Sequence, residues 1–229
     1  MDNILFVIPA RSGSKGIKDK NIQLCAHETL LRRCVKICKN LDLNSEIFVS
    51  TDSPKYIEHV SDLIDNAPKL RPSYLSGDVV GDIEVLVHAL HVCENFYKKT
   101  FDCVVMIQPT CPLRKENDIR RTIDAVLKEK YDSAITCQKV DKKYHPLKSL
   151  KTNESGNIEN YINIPNEIIA RQQLHQTFIR NGGAYAITPN QLCIGRSFIK
   201  CNSKLILTDE IISIDNFEEL KLCEKILLE

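Results

Sequence analysis

The sequence predicts an α/β fold in which a mostly parallel β-sheet carries helices on both faces. Two observations predict it. Strand-like and helix-like hydrophobic patterns alternate along most of the 229 residues. Two short runs, Ile4–Ile8 and Cys103–Ile107, are continuously apolar, which is typical of strands covered on both faces. The length suits one domain with an insertion, so we predict a single domain over residues 1–229.

The first third of the chain predicts strand, helix, strand and helix. Ile4–Ile8 is the first strand, and Leu30–Leu41 follows with apolar residues at the spacing of one helix face. The sequence EIFVS at Glu46–Ser50 predicts the second strand. Lys55–Ile64 again has apolar residues at helical spacing, and Pro54 before it suits the first turn of a helix.

The middle of the chain continues the alternation. Ile83–Phe96 has a long helical pattern, and Cys103–Ile107 is the most apolar of the predicted strands. Asp118–Leu127 predicts a further helix and Ser133–Cys137 a further strand. Strands that alternate with helices in this way favour a parallel sheet.

The pattern breaks over residues 140–180, which are polar and have only short apolar pieces. The segment is too long for a plain loop within a compact domain, so we predict an inserted arm with short strands that makes a dimer contact. The core resumes at Ala184–Ile187. Lys204–Leu207 and Ile211–Ile214 predict the last strands, and Phe217–Leu228 predicts a final helix.

Composition excludes several classes of protein. The formal net charge is +1, so no overall basic field argues for a nucleic-acid partner. No apolar run approaches membrane-spanning length, and the N-terminus lacks the features of a signal peptide. The ten cysteines form no CxxC pair and no zinc spacing. We therefore expect reduced thiols in a cytoplasmic protein that binds neither nucleic acid nor membrane.

The loop Ala10–Asn21, with the sequence ARSGSKGIKDKN, predicts an anion site. It follows the carboxyl end of the first strand, where open α/β sheets bind ligands. Its glycines allow backbone amides to turn inward, its serines add hydroxyl donors, and its arginine and lysines add positive charge, so together they suit a polyphosphate. The spacing matches neither a P-loop nor the GxGxxG fingerprint. A solvated basic loop is the alternative.

This loop resembles the nucleotide-binding signature of the cytidylyltransferases that activate acidic sugars, and among them the CMP-sialic acid synthetases (acylneuraminate cytidylyltransferases). Six further motifs occur in that family's order, namely VSTDS, LRPSYLSGD, IQPTCPLR, YHPLK, RQQLHQTFIRNGGAYAI and SIDNFEEL. The resemblance implies a Rossmann-like nucleotidyltransferase fold and a homodimer joined through the arm. It also implies transfer of CMP from CTP to the anomeric hydroxyl of an acidic nine-carbon sugar, N-acetylneuraminate, with release of pyrophosphate.

Two alternatives remain open at this point. One is the same reaction on a legionaminic or pseudaminic type of acid, and the other is a noncatalytic nucleotide-binding relative.

The resemblance implies roles for particular residues in nucleotide binding. Arg11 and Lys20 are expected to be catalytic, because phosphoryl-type transfer gathers negative charge on the phosphate oxygens. Asp82 stands where relatives often carry a small hydroxyl residue. Asp78, in the motif LRPSYLSGD, is either part of the nucleotide site or the N-cap of the helix predicted at Ile83–Phe96. The implied nucleotide-binding residues are Ala10, Arg11, Ser14, Lys15, Lys20, Asn21, Arg71 and Asp82.

The resemblance also implies a sugar site. Gln108 follows the most apolar strand and is expected to point into the crevice, and Arg171 can form a fork with a carboxylate. Tyr185 has an equal interpretation as a core aromatic residue. Arg114 is either linked to substrate or paired with the arm. The implied sugar-binding residues are Gln108, Arg171, Gln172, Asn181 and Tyr185.

Asp215 is the implied ligand for Mg²⁺ or Mn²⁺ and the third implied catalytic residue. The family commonly has an Asp-x-Asp pair at this point, whereas this chain has Ser213-Ile214-Asp215. Asp209 and Glu210 either compensate for the missing acid or are solvated loop residues. No residue stands out as a general base, so we expect Asp215 or a metal-bound water to take that role.

Overall fold

The computed structural model describes residues 2–65, 69–162 and 171–229, without the side chain of Arg171. The predicted α/β architecture is confirmed. The helices are α1 (Leu30–Asn40), α2 (Pro54–Glu58), α3 (Asp82–Tyr97), α4 (Glu116–Leu127) and α5 (Phe217–Leu228). The strands are β1 (Ile4–Pro9), β2 (Leu24–Cys25), β3 (Glu28–Thr29), β4 (Ser45–Ser50), β5 (Cys103–Met106), β6 (Ser133–Lys139), β7 (Leu150–Thr152), β8 (Ile158–Asn160), β9 (Phe178–Ile187) and β10 (Ser203–Leu207).

The central sheet has the strand order β10-β6-β9-β5-β1-β4. β1 pairs in parallel with β4 and β5, and β10 pairs in parallel with β6. β9 is antiparallel to both of its neighbours, β5 and β6. Because β9 pairs with β5 only from Tyr185 onward, its first half extends past the carboxyl end of β5. β9 therefore delivers side chains to the edge at which ligands bind.

Both faces of the sheet are covered, which explains the continuous apolar runs. On β1, Phe6 and Ile8 belong to the core shared with α1 and α4, whereas Leu5 and Val7 belong to the core shared with α3. Alternate residues of a strand point to opposite faces, so a strand buried on both sides needs an apolar residue at every position.

A third apolar cluster holds the loop after β1. Ile17 of this loop packs with Leu30, with Ile214 and with Leu220 and Cys223 of α5. A capping box between Asn216 and Glu219 begins α5. The loop and the segment that enters α5 are therefore packed as one unit.

Two predicted elements differ from the structure. The second helix covers only Pro54–Glu58, after which the chain turns. Ile211–Ile214 is not a strand. It lies over the edge of the sheet, where the Ile214 N–H donates to the Thr110 carbonyl at 2.8 Å. Its apolar residues Ile211 and Ile214 are buried, so burial rather than strand pairing accounts for the apolar pattern.

The arm leaves and re-enters the sheet through the β6–β9 ladder, where Lys139 pairs with Phe178. Within the arm, β7 and β8 form an antiparallel hairpin whose strand residues are all exposed. Residues 163–170 lie outside the described part of the chain. Among the residues that are described, no helix is both long and apolar enough to cross a bilayer.

Candidate functional site

A crevice of about 450 Å³ lies at the carboxyl edge of the sheet. It is the place where the fold brings most of the predicted site residues together. Those that line it are Arg11, Ser14, Lys15, Lys20, Asn21, Arg71, Asp82, Gln108 and Asp215. A larger groove of about 850 Å³ beside α3 is lined by none of the predicted site residues.

The loop after β1 is held at its start by β4. The backbone N–H and the hydroxyl of Ser12 both donate to the Asp52 carboxylate at 2.7 Å. Burial raises the pKa of Asp52, but these hydrogen bonds outweigh burial and lower the pKa below its usual value. Ala10 is fully buried and donates its N–H to the Ser50 carbonyl, so Ala10 anchors the loop and does not line the crevice. Sequence reasoning did not single out Asp52, although it lies within the quoted motif VSTDS.

The far end of the loop is also fixed. Asp19 has a φ of 53° and accepts hydrogen bonds from Tyr56 and Lys55, each at 3.1 Å. The buried Asn21 donates its side-chain amide to the Arg11 carbonyl at 3.2 Å. Asn21 therefore closes the loop upon itself, which holds the intervening cations in place.

Asp78 bridges two of the predicted phosphate-binding cations. Its carboxylate lies 2.7 Å from the Arg11 guanidinium and 2.6 Å from the Lys15 ammonium group. Hydrogen bonds from Lys15 and from Arg11 lower the pKa of Asp78. The N-cap of α3 is Gly81, so the interpretation of Asp78 as the N-cap was wrong. The carboxylate of Asp78 lies between cations that can also bind a phosphate.

Lys20 and Asp215 form the second pair at the crevice. Lys20 donates to the Asp215 carboxylate at 2.9 Å and to the Ile214 carbonyl at 2.8 Å. The Lys20 side chain is 15% exposed and that of Asp215 is 76% exposed.

A Cβ atom placed on Gly16 would lie 2.4 Å from the Asp215 carbonyl oxygen. Only glycine allows the loop to approach the backbone of Asp215 this closely.

Asp215, the residue predicted to bind a divalent metal, is an exposed carboxylate at the crevice. Mg²⁺ takes one or two carboxylates and completes its shell with phosphate oxygens and water, and the exposed oxygens of Asp215 fit that requirement. Among the described residues, no group of three or more His, Cys, Asp or Glu side chains forms a metal site. Asp209 pairs with Lys115 at 2.7 Å, and neither Asp209 nor Glu210 lines the crevice.

Arg71 lies at the base of the crevice and is buried. Its guanidinium donates to the Ser50 carbonyl at 2.8 Å and to the Leu75 carbonyl at 3.4 Å. Its Nε has no hydrogen-bond partner among the described residues. Burial lowers the pKa of Arg71. Arg71 therefore supports the backbone around the crevice, while its Nε–H stays unpaired within the described residues.

The predicted sugar-binding residues divide into two groups. Gln108 lines the crevice, and a Cβ on Gly182, whose φ is 72°, would lie 2.8 Å from its Oε1 atom. Asn181 is buried and donates to the Thr208 hydroxyl at 2.7 Å. Tyr185 is buried against Phe198, with 5.6 Å between ring centroids. Asn181 and Tyr185 thus support the wall that carries Gly182. Gln108 lines the crevice, whereas Asn181 and Tyr185 do not.

The remaining predicted residues lie elsewhere. Arg171 and Gln172 are in a short 3₁₀ turn. Gln172 is exposed, and the Arg171 side chain lies outside the described part of the chain. Arg114 is buried beneath the turn after β5, where it donates to the Gln108 carbonyl and to the Cys34 thiol. Arg114 therefore holds the backbone of Gln108, which neither of its two predicted roles anticipated.

Asp82 lies on the first turn of α3 and lines the crevice. Desolvation by the crevice walls raises its pKa, and the nearby Arg180 and Arg71 partly offset that effect. Arg180 is the cross-strand partner of Cys137, which belongs to the core on the α3 side. Cross-strand partners share a face of the sheet, so Arg180 lies on the same side as α3. Sequence reasoning did not identify Arg180, although it directly precedes Asn181.

Comparisons with known proteins identify the family and the fold. The sequence model of the cytidylyltransferase family matches residues 5–161. The chain is 26% identical over 220 residues to post-translational flagellin modification protein B of Campylobacter coli, covering 96% of this chain and 92% of the relative. It is 27% identical over 231 residues to the CMP-N,N'-diacetyllegionaminic acid synthase of Legionella pneumophila, covering 98% of this chain and 96% of the relative.

Other matches are partial or structural. An N-acylneuraminate cytidylyltransferase of Escherichia coli is 27% identical over 140 residues, which are 61% of this chain and 32% of the relative. A CMP:2-keto-3-deoxy-manno-octonic acid synthetase solved with CTP has a TM-score of 0.73 at 15% identity and matches 99% of each chain. At this identity the structural match establishes the shared fold.

Proposed function

The chain belongs to the cytidylyltransferase family, and from that premise we propose that it transfers CMP from CTP to the anomeric hydroxyl of an acidic nine-carbon sugar. N-acetylneuraminate is the first candidate acceptor, and pyrophosphate is the second product. The observation that carries the proposal is the crevice itself, which is lined by Arg11, Lys15 and Lys20 together with Asp215 and Gln108. This set combines cations for a triphosphate, a carboxylate for a metal ion and an amide for a polar acceptor.

The three cations are suited to bind the triphosphate. Arg11 and Lys15 exchange the carboxylate of Asp78 for phosphate oxygens, and Lys20 contributes from the opposite end of the loop. Negative charge grows on the phosphate oxygens and on the leaving pyrophosphate during transfer. Preorganised cations stabilise that charge without further rearrangement. The anchors at Ser12 and Asn21 keep the loop in this geometry.

Asp215 is the residue that would hold Mg²⁺ or Mn²⁺. A bound divalent cation supplies charge neutralisation and orientation of the phosphates. Lys20 pairs with Asp215 and so keeps this carboxylate beside the loop that carries the phosphate-binding cations. Gln108 offers its side-chain amide on the wall formed with Gly182, where it is placed to hydrogen-bond the sugar.

A legionaminic type of acid is the second candidate acceptor. One specific observation favours it. The match to the legionaminic acid synthase extends over 98% of this chain, whereas the matches to N-acylneuraminate cytidylyltransferases of Escherichia coli and Streptococcus agalactiae cover 61% and 79% of it. The reaction is the same in both cases, and only the substituents of the sugar differ.

The arm is proposed to join two copies of the chain. Its hairpin exposes Leu150, Ile158 and Tyr161, each more than 60% accessible, and apolar side chains so exposed on one hairpin favour a protein contact.

A cytoplasmic location is proposed from the ten cysteines, all of which are free thiols, as expected in a reducing compartment.

Pyrophosphate release tests the proposal. The protein would be incubated with Mg²⁺, one of CTP, UTP, ATP or GTP, and one of N-acetylneuraminate, a legionaminic acid or a pseudaminic acid. We expect release with CTP and one of the acids, and loss of release in chelator. CTP binding without release for any of the acids would favour the noncatalytic alternative, and equal rates with all four nucleotides would contradict the assignment to CTP.

A further inference from the structure

The neighbouring strands β6 and β9 lose their regular pairing at one point. The ladder between them has a register shift between Ile135 and Cys137 of β6. Across that shift, β6 contributes only Thr136, whereas β9 contributes residues 181–184, which we call the β9 bulge. The bulge lies where β9 extends past the carboxyl end of β5. Bulges are frequent next to active sites, where they redirect side chains.

One side-chain hydroxyl bonds the β9 bulge to β6. The Thr136 hydroxyl accepts a hydrogen bond from the Ala184 N–H at 2.8 Å and donates to the Ala184 carbonyl at 3.2 Å. Thr136 and Ala184 are both fully buried, and buried backbone groups need a hydrogen-bond partner. Loss of the hydroxyl would deprive both backbone groups of Ala184 of this partner. The hydroxyl therefore fixes the position of the bulge.

Further contacts hold the β9 bulge from both sides. A Cβ atom on Gly183 would lie 2.8 Å from the Thr136 hydroxyl oxygen, so the bulge packs directly on β6. The Asn181 side chain accepts a hydrogen bond from the Gly183 N–H at 3.2 Å. The Cys111 thiol, in the turn after β5, donates to the Asn181 carbonyl at 3.4 Å. The bulge is thus packed between β6 and that turn.

The β9 bulge is a surface against which Gln108 lies. A Cβ atom on Gly182 would lie 2.8 Å from the Gln108 Oε1 atom, so this oxygen packs on the backbone of Gly182. The Gln108 side chain makes no hydrogen bond with any residue in the described part of the chain. Arg114 holds the backbone of Gln108, but the side-chain amide depends on packing. A shift of the bulge would therefore move an amide that lines the crevice.

We propose that Thr136 is a positioning residue for the acceptor sugar, an inference that rests on the function proposed above. Its hydroxyl fixes the β9 bulge, the bulge fixes the amide of Gln108, and the amide hydrogen-bonds the sugar. Thr136 itself does not line the crevice. Loss of the hydroxyl should act on the sugar and not on CTP, whose proposed contacts come from the loop after β1.

The test is a double-mutant cycle with CTP and the acid that the wild type accepts. Thr136→Val keeps the side-chain shape without the hydroxyl, and kcat/KM for the sugar should fall by about 10- to 100-fold, because a displacement of about 1 Å in a site costs about 100-fold. The KM for CTP should stay within about threefold, since ground-state binding of CTP is untouched. Thr136→Ser restores the hydroxyl and should recover most of the lost rate. In a Gln108→Ala background, Thr136→Val should have little further effect, because the group through which it acts is gone.

Thr122→Val is the matched control. Thr122 is also fully buried, and its hydroxyl donates to the Asp118 carbonyl within α4 at 2.7 Å, away from the crevice. This variant should keep the wild-type kcat and KM for both substrates. If Thr136→Val keeps kcat/KM for the sugar, or loses as much with Gln108→Ala present as without it, Thr136 is only structural and the inference is overturned.

The outcomes separate this inference from the proposed function. If the wild type makes no CMP-sugar with any acid, the proposed function is wrong, and the position of Gln108 is followed through the NMR signal of its side-chain amide. That signal should shift in Thr136→Val and not in Thr122→Val, and an unmoved signal overturns the inference. If melting shows that Thr136→Val is unfolded, Gly183→Ala replaces it in the cycle, since its Cβ would displace the Thr136 hydroxyl. An unchanged kcat/KM for the sugar in Gly183→Ala would also overturn the inference.

Discussion

Replacing Gly16 by alanine should separate the loop after β1 from the segment that carries Asp215. A Cβ atom at residue 16 would lie 2.4 Å from the backbone carbonyl oxygen of Asp215 and 3.6 Å from its carbonyl carbon. A carbon and an oxygen in ordinary contact are about 3.3–3.6 Å apart. The two backbones must therefore move apart by about 1 Å, and no flexible side chain is available to absorb the change.

The expected magnitude follows from this displacement. Overpacking costs roughly 1–3 kcal/mol in a core, and the lower part of that range applies because Gly16 is exposed on its other side. We expect a decrease of about 1–2 kcal/mol in the free energy of unfolding, which is a few degrees in Tm for a domain of this size. Activity should fall further, because a displacement of about 1 Å in a site costs about 100-fold in rate.

The assay is pyrophosphate release at saturating CTP and sugar, together with thermal melting. Gly13→Ala is the matched control. It adds the same methyl group to the same loop, and nothing lies within 4 Å of the added Cβ. Its φ of 72° makes alanine strained there by about 1–2 kcal/mol, so the two variants should lose similar stability. Only Gly16→Ala should lose about 100-fold in kcat/KM.

Two results would refute the reasoning. A Gly16→Ala protein with the kcat/KM of the wild type would show that the contact with Asp215 does not position the site. A Gly13→Ala protein as inactive as Gly16→Ala would show that loop strain, and not the clash, controls activity.

The other predictions concern charges and the arm. Lys20→Ala should lower kcat by about 100- to 1000-fold, the typical cost of one charge-stabilising donor; a loss under tenfold at saturating substrates would contradict this role. Asp215→Asn should abolish most turnover at saturating Mg²⁺ without lowering Tm, because an amide keeps the shape but not the charge; near-normal turnover would remove Asp215 from the metal site. Asp78→Asn should tighten binding of pyrophosphate in calorimetry by about three- to tenfold, since a competing carboxylate is lost from an exposed pair; weaker binding would refute the competition. Deletion of residues 153–160 should shift a dimer toward monomer in sedimentation, and a wild type that is monomeric at micromolar concentration would contradict the predicted interface.

Much of the fold could be predicted because its signals are local. Hydrophobic spacing in β1, α1 and β5 reports whether one or both sides of an element are buried, and this depends on residues a few positions apart. The direction of β9 could not be predicted in the same way. An isolated apolar run such as Ala184–Ile187 does not encode which neighbours it pairs with, and only the ladder with β5 and β6 shows the antiparallel arrangement.

The sequence by itself determined the α/β class and the cation-rich loop of Ala10–Asn21, since both rest on short-range spacing and on the chemistry of single residues. The tertiary structure alone decided how the charges of the site are paired. Ser12 meets Asp52 across 40 residues, and Lys20 meets Asp215 across 195 residues. The first contact exists because β1 and β4 end at the same edge of the sheet, and the second because the segment before α5 lies over that edge. The same packing leaves Asp82 without a partner among the described residues, and no local pattern in the sequence could show that.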